Sequence, residues 1–140
     1  VYKLMLPIAQ EKCIEILLKN GKKVYISGDK ERLTELFINL VDNAIKYNIK
    51  GGRIIISSEI KNGFVVITVS DTGIGILQNE LDKIFDRFYR VDKSRGEVLG
   101  AGLGLSIVKA IIDAHGGKIE VKSKAGEGSE FKVMLSIADV

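Results

Sequence analysis

Two β-prone runs, residues 53–60 and 64–70, are separated by Asn62-Gly63, and this pairing limits the fold more than any other feature of the chain. Asn-Gly between apolar runs is the strongest short-range signal for a two-residue hairpin, because both turn positions take positive φ. The pattern recurs. Runs 14–18 and 23–26 flank Asn20-Gly21, and runs 118–123 and 129–137 are bridged by residues 124–128. Strands that arrive as hairpins build a largely antiparallel sheet. Asp29 is placed to cap a helix running to about Tyr47, with Leu33, Leu36, Phe37, Leu40, Val41, Ala44 and Ile45 at helical spacing. Gly51-Gly52 closes that segment, and a second helix from about Leu103 to Ala114 is stopped by Gly116-Gly117. A shorter helix is expected over residues 79–85, and residues 92–101 show no period and read as a flexible loop. Strands outnumber helices and do not alternate with them one by one, which disfavours a doubly wound parallel sheet. The expected fold is α/β (α+β): a two-layer sandwich with helices on one face of a mixed, mainly antiparallel sheet.

At 140 residues the chain is expected to form one domain, residues 1–140. Residues 1–12, with Leu4 and Ile8 on an apolar side, read as the end of a connecting helix. A start at Val1 without a signal peptide suggests a segment of a longer protein. The 21 basic and 18 acidic residues give a net charge of +3, spread without blocks, so no nucleic-acid or anionic-membrane surface is signalled. No apolar run approaches a membrane span. Cys13 and His115 are single in kind, which excludes an internal disulfide and a Cys- or His-cluster metal site. Glycine is the outlier, with 15 residues against an average usage of about 7%.

Three segments carry candidate chemistry. Asn39, Asn43, Lys46 and Tyr47 fall on one stripe of the long helix, beside its apolar stripe. A solvated face would account for them, but asparagine is a weak helix former and its recurrence has no packing motive. An amide oxygen is a hard donor suited to Mg²⁺ that shares phosphate oxygens. Next, Asp71 ends a strand run and is followed by Gly73 and Gly75. Gly-x-Gly alone is often a mere turn, but an ionised aspartate accepts without donating and so suits an exocyclic amine such as that of adenine. Third, Gly100, Ala101, Gly102, Leu103, Gly104 and Leu105 open a helix, where unpaired N–H groups favour anions. They fit neither the dinucleotide fingerprint nor a P-loop, and a hinge would also explain them. Phe85 and Phe88 read as core, with Arg90 beyond them able to meet a phosphate. Gly126 and Gly128 before Ser129 read, taken alone, as a turn.

In order, these segments resemble the ATP-binding catalytic domain of sensor histidine kinases, within the gyrase/Hsp90/histidine kinase/MutL superfamily and its Bergerat-type ATP-binding fold. Asn39 to Tyr47 resembles the N box, Asp71 to Gly75 the first glycine box, Phe85 to Asp92 the F box and Gly100 to Leu105 the second glycine box. Gly126 to Ser129 is similar to the third glycine box, and Asp29 to Leu33 and His115-Gly116-Gly117 to flanking signatures. The resemblance implies that Asn43 holds Mg²⁺, that Asn39 aids phosphoryl transfer, and that Lys46 and Tyr47 reach phosphate and nucleotide. It implies that Asp71 binds the adenine amine, with Gly73, Gly75 and Ile76 alongside and Ser129 approaching through water. Tyr89 and Arg90 are implied at an ATP lid running to Gly100, with Ala101, Gly102, Leu103, Gly104 and Leu105 near the phosphates. Asn39, Asn43, Lys46 and Arg90 are the implied catalytic set.

The sequence departs from the family at Glu35, often glutamine, at Asn48, often threonine or serine, at Leu77, often proline, and at Ala101, often threonine. No acceptor histidine followed by an acidic residue is present, and His115 is expected to cap its own helix. The implied partners are ATP/ADP, a histidine-containing dimerisation domain of the same protein and a downstream response regulator, with no nucleic acid and no direct membrane contact. The fragment is expected to be monomeric and cytoplasmic, with room for a membrane anchor in the parent chain. Two alternatives compete: an anti-sigma-factor-type serine kinase of the same superfamily, and an aspartic-protease-like dimer built on Asp71-Thr72-Gly73. A module that binds ATP without transferring it is a third reading.

Overall fold

The computed structural model describes residues 7, 14–19, 28–76, 81, 83–85 and 104–137. Their elements run β1 (Glu15–Lys19), α1 (Lys30–Lys46), β2 (Arg53–Lys61), β3 (Phe64–Asp71), α2 (Gly104–Ala114), β4 (Lys118–Lys124) and β5 (Gly128–Ser136). The strands form one five-stranded sheet in the order β1-β2-β3-β5-β4. Only the β1–β2 pair is parallel; the other three are antiparallel.

The Asn62-Gly63 turn has φ of 53° and 80°, the doubly positive pair of a type I′ hairpin. It sets the register in which Ile54, Ile56 and Ile60 face Asp71, Val69 and Val65. Because side chains alternate with period two, that register also decides which residues meet the helices. Ile54, Val65, Val69, Phe131, Val133 and Leu135 are buried together with Leu36, Leu40, Val41 and Ala44 of α1 and Val108, Ile111 and Ile112 of α2. The opposite face carries Lys118, Glu120, Lys122 and Lys124 of β4, all exposed. The expected two-layer sandwich is therefore present.

Helix ends follow the chemistry of their residues. The Asp29 carboxylate accepts from the N–H groups of Glu31 and Arg32 at 2.9 and 3.3 Å, a cap that contributes about 1 kcal/mol. At the end of α2 the Gly117 N–H donates to Ile112 O and the Gly116 N–H to Asp113 O, with Gly116 at φ 66°. His115 does more than cap its own helix. Its Nδ1 faces Ile111 O at 2.8 Å, and its Nε2 accepts from the Asp29 N–H at 3.1 Å. The imidazole thereby joins the end of α2 to the start of α1.

Two expectations need adjustment. The first strand, expected to form a hairpin through Asn20-Gly21, lies parallel beside β2, with Ile16 opposite Ile54. Residues 20–27, including the other half of that hairpin, lie outside the described residues. Within the expected 79–85 helix, the described Leu81 and Lys83 to Phe85 are in turns. Ile84 is nonetheless fully buried, and Phe85 packs against the core as expected. The connecting helix over residues 1–12, apart from Pro7, and the loop over residues 92–101 lie outside the described residues.

Candidate functional site

The alternation that buries the core places polar groups where it runs out. Along one inner-face row, Ile54 pairs with Asp71, Asp71 with Ser129, and Ser129 with Ser123. The row sits at the end of the sheet, so an apolar isoleucine gives way to a carboxylate and two hydroxyls across three strands. Asp71 is partly buried, and desolvation raises its carboxyl above the ordinary aspartate range, while the N–H groups of Gly73 and Ser129 pull the other way. The Gly73 N–H donates to Asp71 Oδ1 at 2.8 Å.

Ser123 was absent from the sequence-derived site, yet it organises this corner. Its Oγ accepts from the Ile76 N–H at 2.7 Å and donates to Gly128 O at 3.0 Å. Ser129 Oγ lies 2.8 Å from it. Both contacts of the Ser123 oxygen are satisfied when Ser129 donates to it, which leaves Ser129 lone pairs as acceptors. The signal was in the sequence: Ile119, Val121 and Ser123 alternate inward just as Ser129, Phe131 and Val133 do.

Gly75 is fixed by space as well as by conformation. It has φ of 73°, and a Cβ there would run into the Lys124 carbonyl. The Gly126 N–H donates to Ile74 O at 2.7 Å, so the segment after Asp71 is bound to the β4–β5 turn. On its other side the same segment meets α1: the Ile74 N–H donates to Tyr47 O at 3.0 Å.

Tyr47 ends the stripe that carries Asn39, Asn43 and Lys46, with its N–H on Asn43 O. Asn39 Nδ2 donates to Glu35 O at 2.8 Å, which orients its Oδ1 away from the helix backbone. That oxygen stands 3.4 Å from where a Cβ on Gly104 would be, so the first turn of α2 packs against Asn39. Lys46 Nζ pairs with Asp42 at 2.9 Å on an exposed surface. The half-buried Asn43 amide makes no hydrogen bond with its side chain among the described residues. Leu105 follows Gly104 in the first turn of α2. Asp71, Gly73, Gly75, Ile76 and Ser129 thus gather at one corner, joined through Tyr47 to Asn39, Asn43 and Lys46. Tyr89, Arg90, Gly100, Ala101, Gly102 and Leu103 lie outside the described residues. Among the described residues no helix is long and apolar enough to cross a membrane.

Comparison with known proteins bears on this arrangement. The family described as histidine kinase-, DNA gyrase B-, and HSP90-like ATPase matches residues 28–139. The signal transduction histidine-protein kinase ArlS of Staphylococcus aureus is 44% identical over 116 residues, covering 82% of this chain and 26% of that protein. The chain therefore spans about a quarter of that relative's length. The structure of full-length ShkA in complex with AMPPNP superposes with a TM-score of 0.85 at 33% identity, over 99% of this chain and 28% of that one. Histidine kinase ThkA in complex with response regulator protein TrrA gives 0.79 at 29% identity, over 98% and 38% of the two chains. ArlS and ThkA are both named as histidine kinases, and neither the serine kinase nor the protease alternative gains support from these relatives.

Proposed function

Because this chain belongs to the histidine kinase-, DNA gyrase B-, and HSP90-like ATPase family, we propose that it binds ATP with Mg²⁺ and supplies the γ-phosphoryl group to a histidine on a separate dimerisation domain. The observation that carries this reading is the corner itself: a strand-end carboxylate, Asp71, tied through Ile74 and Tyr47 to a helix stripe of two amides and a cation. Base recognition and phosphate handling need those two sets of groups side by side.

Asp71 accepts from the adenine amine, and Ser129 offers a further acceptor beside it. Gly75 keeps the backbone clear where a side chain would collide. Asn39, oriented by Glu35 O and packed against Gly104, holds the phosphate end together with Lys46 and the first turn of α2. The chemistry at Asn43 fits a divalent cation: a hard amide oxygen, half-buried and without a side-chain hydrogen bond among the described residues. Asn43 would hold Mg²⁺, which when bound neutralises charge on the phosphate oxygens. Catalysis by these residues is positioning and charge stabilisation, with no covalent role for the chain. A response regulator is the proposed downstream partner, and the cytoplasm the proposed location of this domain. Residues 1–140 are proposed as one such domain, with residues 1–12 leading to it from the dimerisation helix.

Mixing the chain with labelled ATP and a separate fragment bearing the acceptor histidine tests the division of labour. Label is expected on that fragment and none on this chain. His115 cannot accept it without giving up its bond to Ile111 O at Nδ1 or to the Asp29 N–H at Nε2. Acid-labile phosphate on His115 would overturn the proposal.

A further inference from the structure

The buried polar side chain among the described residues is none of those with a proposed role at the nucleotide. It is Asn48, 5% exposed, two residues beyond the end of α1. A buried amide costs stability unless its donor and acceptor are both paired, and here both are. Asn48 Oδ1 accepts from the Ile49 N–H at 2.8 Å and from the Thr72 hydroxyl at 3.1 Å. Asn48 Nδ2 donates to Arg53 O at 3.2 Å. Thr72 closes the ring: its Oγ1 accepts from the Arg53 N–H at 2.8 Å, and its own N–H donates to Arg53 O at 3.1 Å. The hydroxyl has one proton, and the 3.4 Å approach to Arg53 O is the weaker competitor for it. Three segments meet in this ring: the exit of α1, the first residue of β2 and the residue following Asp71. The space is filled, since a Cβ on Gly52 would strike both Asn48 Oδ1 and Thr72 Oγ1.

We propose that the Asn48–Thr72 pair is a latch that fixes the Asp71 carboxylate against the end of α1 and thereby sets the preference for a 6-amino over a 6-oxo purine. This rests on the reading of Asp71 as the acceptor for the adenine amine. The reasoning is geometric. Asp71 is the last residue of β3, and its Oδ1 takes the Gly73 N–H. On either side of Gly73 the backbone is hung on the helix exit, Thr72 through Asn48 and Ile74 through Tyr47 O. The segment that follows the carboxylate therefore cannot shift without breaking bonds to the exit of α1, and the carboxylate cannot swing without giving up the Gly73 N–H that this segment holds in place. A carboxylate held in place rejects a carbonyl, because two acceptors would face each other without a proton. Released from the latch, it yields to a 6-oxo base and grips a 6-amino base less well. Asn48 and Thr72 are positioning residues, and neither touches the nucleotide in this scheme.

The test compares dissociation constants for ADP and inosine diphosphate by titration calorimetry in the whole chain. Thr72→Val keeps the shape and removes the hydroxyl; Thr72→Ser restores it. The valine variant is expected to narrow the ADP preference about fivefold, the worth of one net hydrogen bond. The serine variant is expected to recover it, and Asn48→Ala to match the valine. Equal weakening of both nucleotides in Thr72→Val, or a lowered melting temperature alone, overturns the latch. If the valine variant does not fold, Asn48→Ala decides in the same way. Asp71→Asn separates the two layers: a preference unchanged there removes the Asp71 assignment, and the latch's consequence with it, whereas a preference lost there and kept in Thr72→Val removes the latch alone.

Discussion

The two ends of the site are built differently. At the sheet end, Asp71, Ser129, Ser123 and the backbone of Gly73 to Ile76 are tied into one another before any ligand arrives. At the helix end, Asn39 bonds back to Glu35 O and Lys46 pairs with Asp42, both on their own helix, and the Asn43 amide makes no side-chain hydrogen bond among the described residues. Preorganisation belongs where the ligand is rigid and its polar pattern fixed, as on a purine edge. Side chains on a helix face keep rotamers in reserve, which suits a flexible triphosphate and a metal that chooses its own geometry.

The largest effect that bears on this contrast is expected from Asp71→Asn. Its amide would set a donor against the adenine amine, in a place where neighbouring bonds prevent retreat. ADP affinity should fall by about ten- to a hundredfold, the range of a buried unmatched polar pair of 1–3 kcal/mol. Calorimetry on a variant with intact circular dichroism checks it. A loss of less than twofold would mean that the fixed end does not read the base.

Asn43→Ala sharpens the other side. Adenosine should bind as before, and ATP should lose most of its dependence on Mg²⁺, because only the phosphates share the metal. Titrations of adenosine and ATP with and without Mg²⁺ give the ratio directly. If that ratio is unchanged, the cation is held by other groups.

Much of the fixed end could be read from the sequence, because it follows from alternation. The Asn62-Gly63 turn sets the register, the register puts Asp71 at the end of an inward row, and extending the same count would have added Ser123. The helix stripe followed equally from periodicity in α1. What stayed hidden depends on contacts between distant segments. Asn20-Gly21 carries a strong local turn signal, yet β1 takes a partner more than thirty residues away, because Ile16 completes the buried row with Ile54. No local pattern links His115 to the Asp29 N–H, or Asn48 to Thr72. In sequence Asn48 was only a departure from a family pattern; its burial is a tertiary fact.

A smaller effect is expected from Ser123→Ala. The change strips the Ile76 N–H and the Ser129 hydroxyl of a partner in a partly buried place. It should cost about 1–3 kcal/mol of stability, seen as a lower urea midpoint, and weaken ADP binding less than Asp71→Asn does. Should ADP affinity fall as far as in Asp71→Asn, the seryl pair reads the base itself and does not merely hold the loop.

The smallest effect should appear in the pH dependence of the unliganded chain. Burial raises the Asp71 carboxyl above its ordinary value of 3.8. For an acid whose folded pKa lies above its unfolded one, the folded state binds more protons between the two values, so this group's contribution to stability falls as pH rises through that window. Below 3.8 the carboxyl is protonated in both states and contributes nothing; above the folded value its ionisation carries the full penalty. Nucleotide binding has the opposite sign, because the adenine amine needs the ionised form as acceptor. As pH falls from 7 towards 4, ADP affinity should therefore drop while the stability deficit due to Asp71 shrinks. Asp71→Asn, which cannot ionise, should melt higher than the parent at pH 7 and lose that advantage at pH 4. Paired melting curves and ADP titrations across that range decide the matter. A melting difference independent of pH would mean that residue 71 acts on stability by something other than its ionisation, and would make the fixed end rigid without being electrostatically strained.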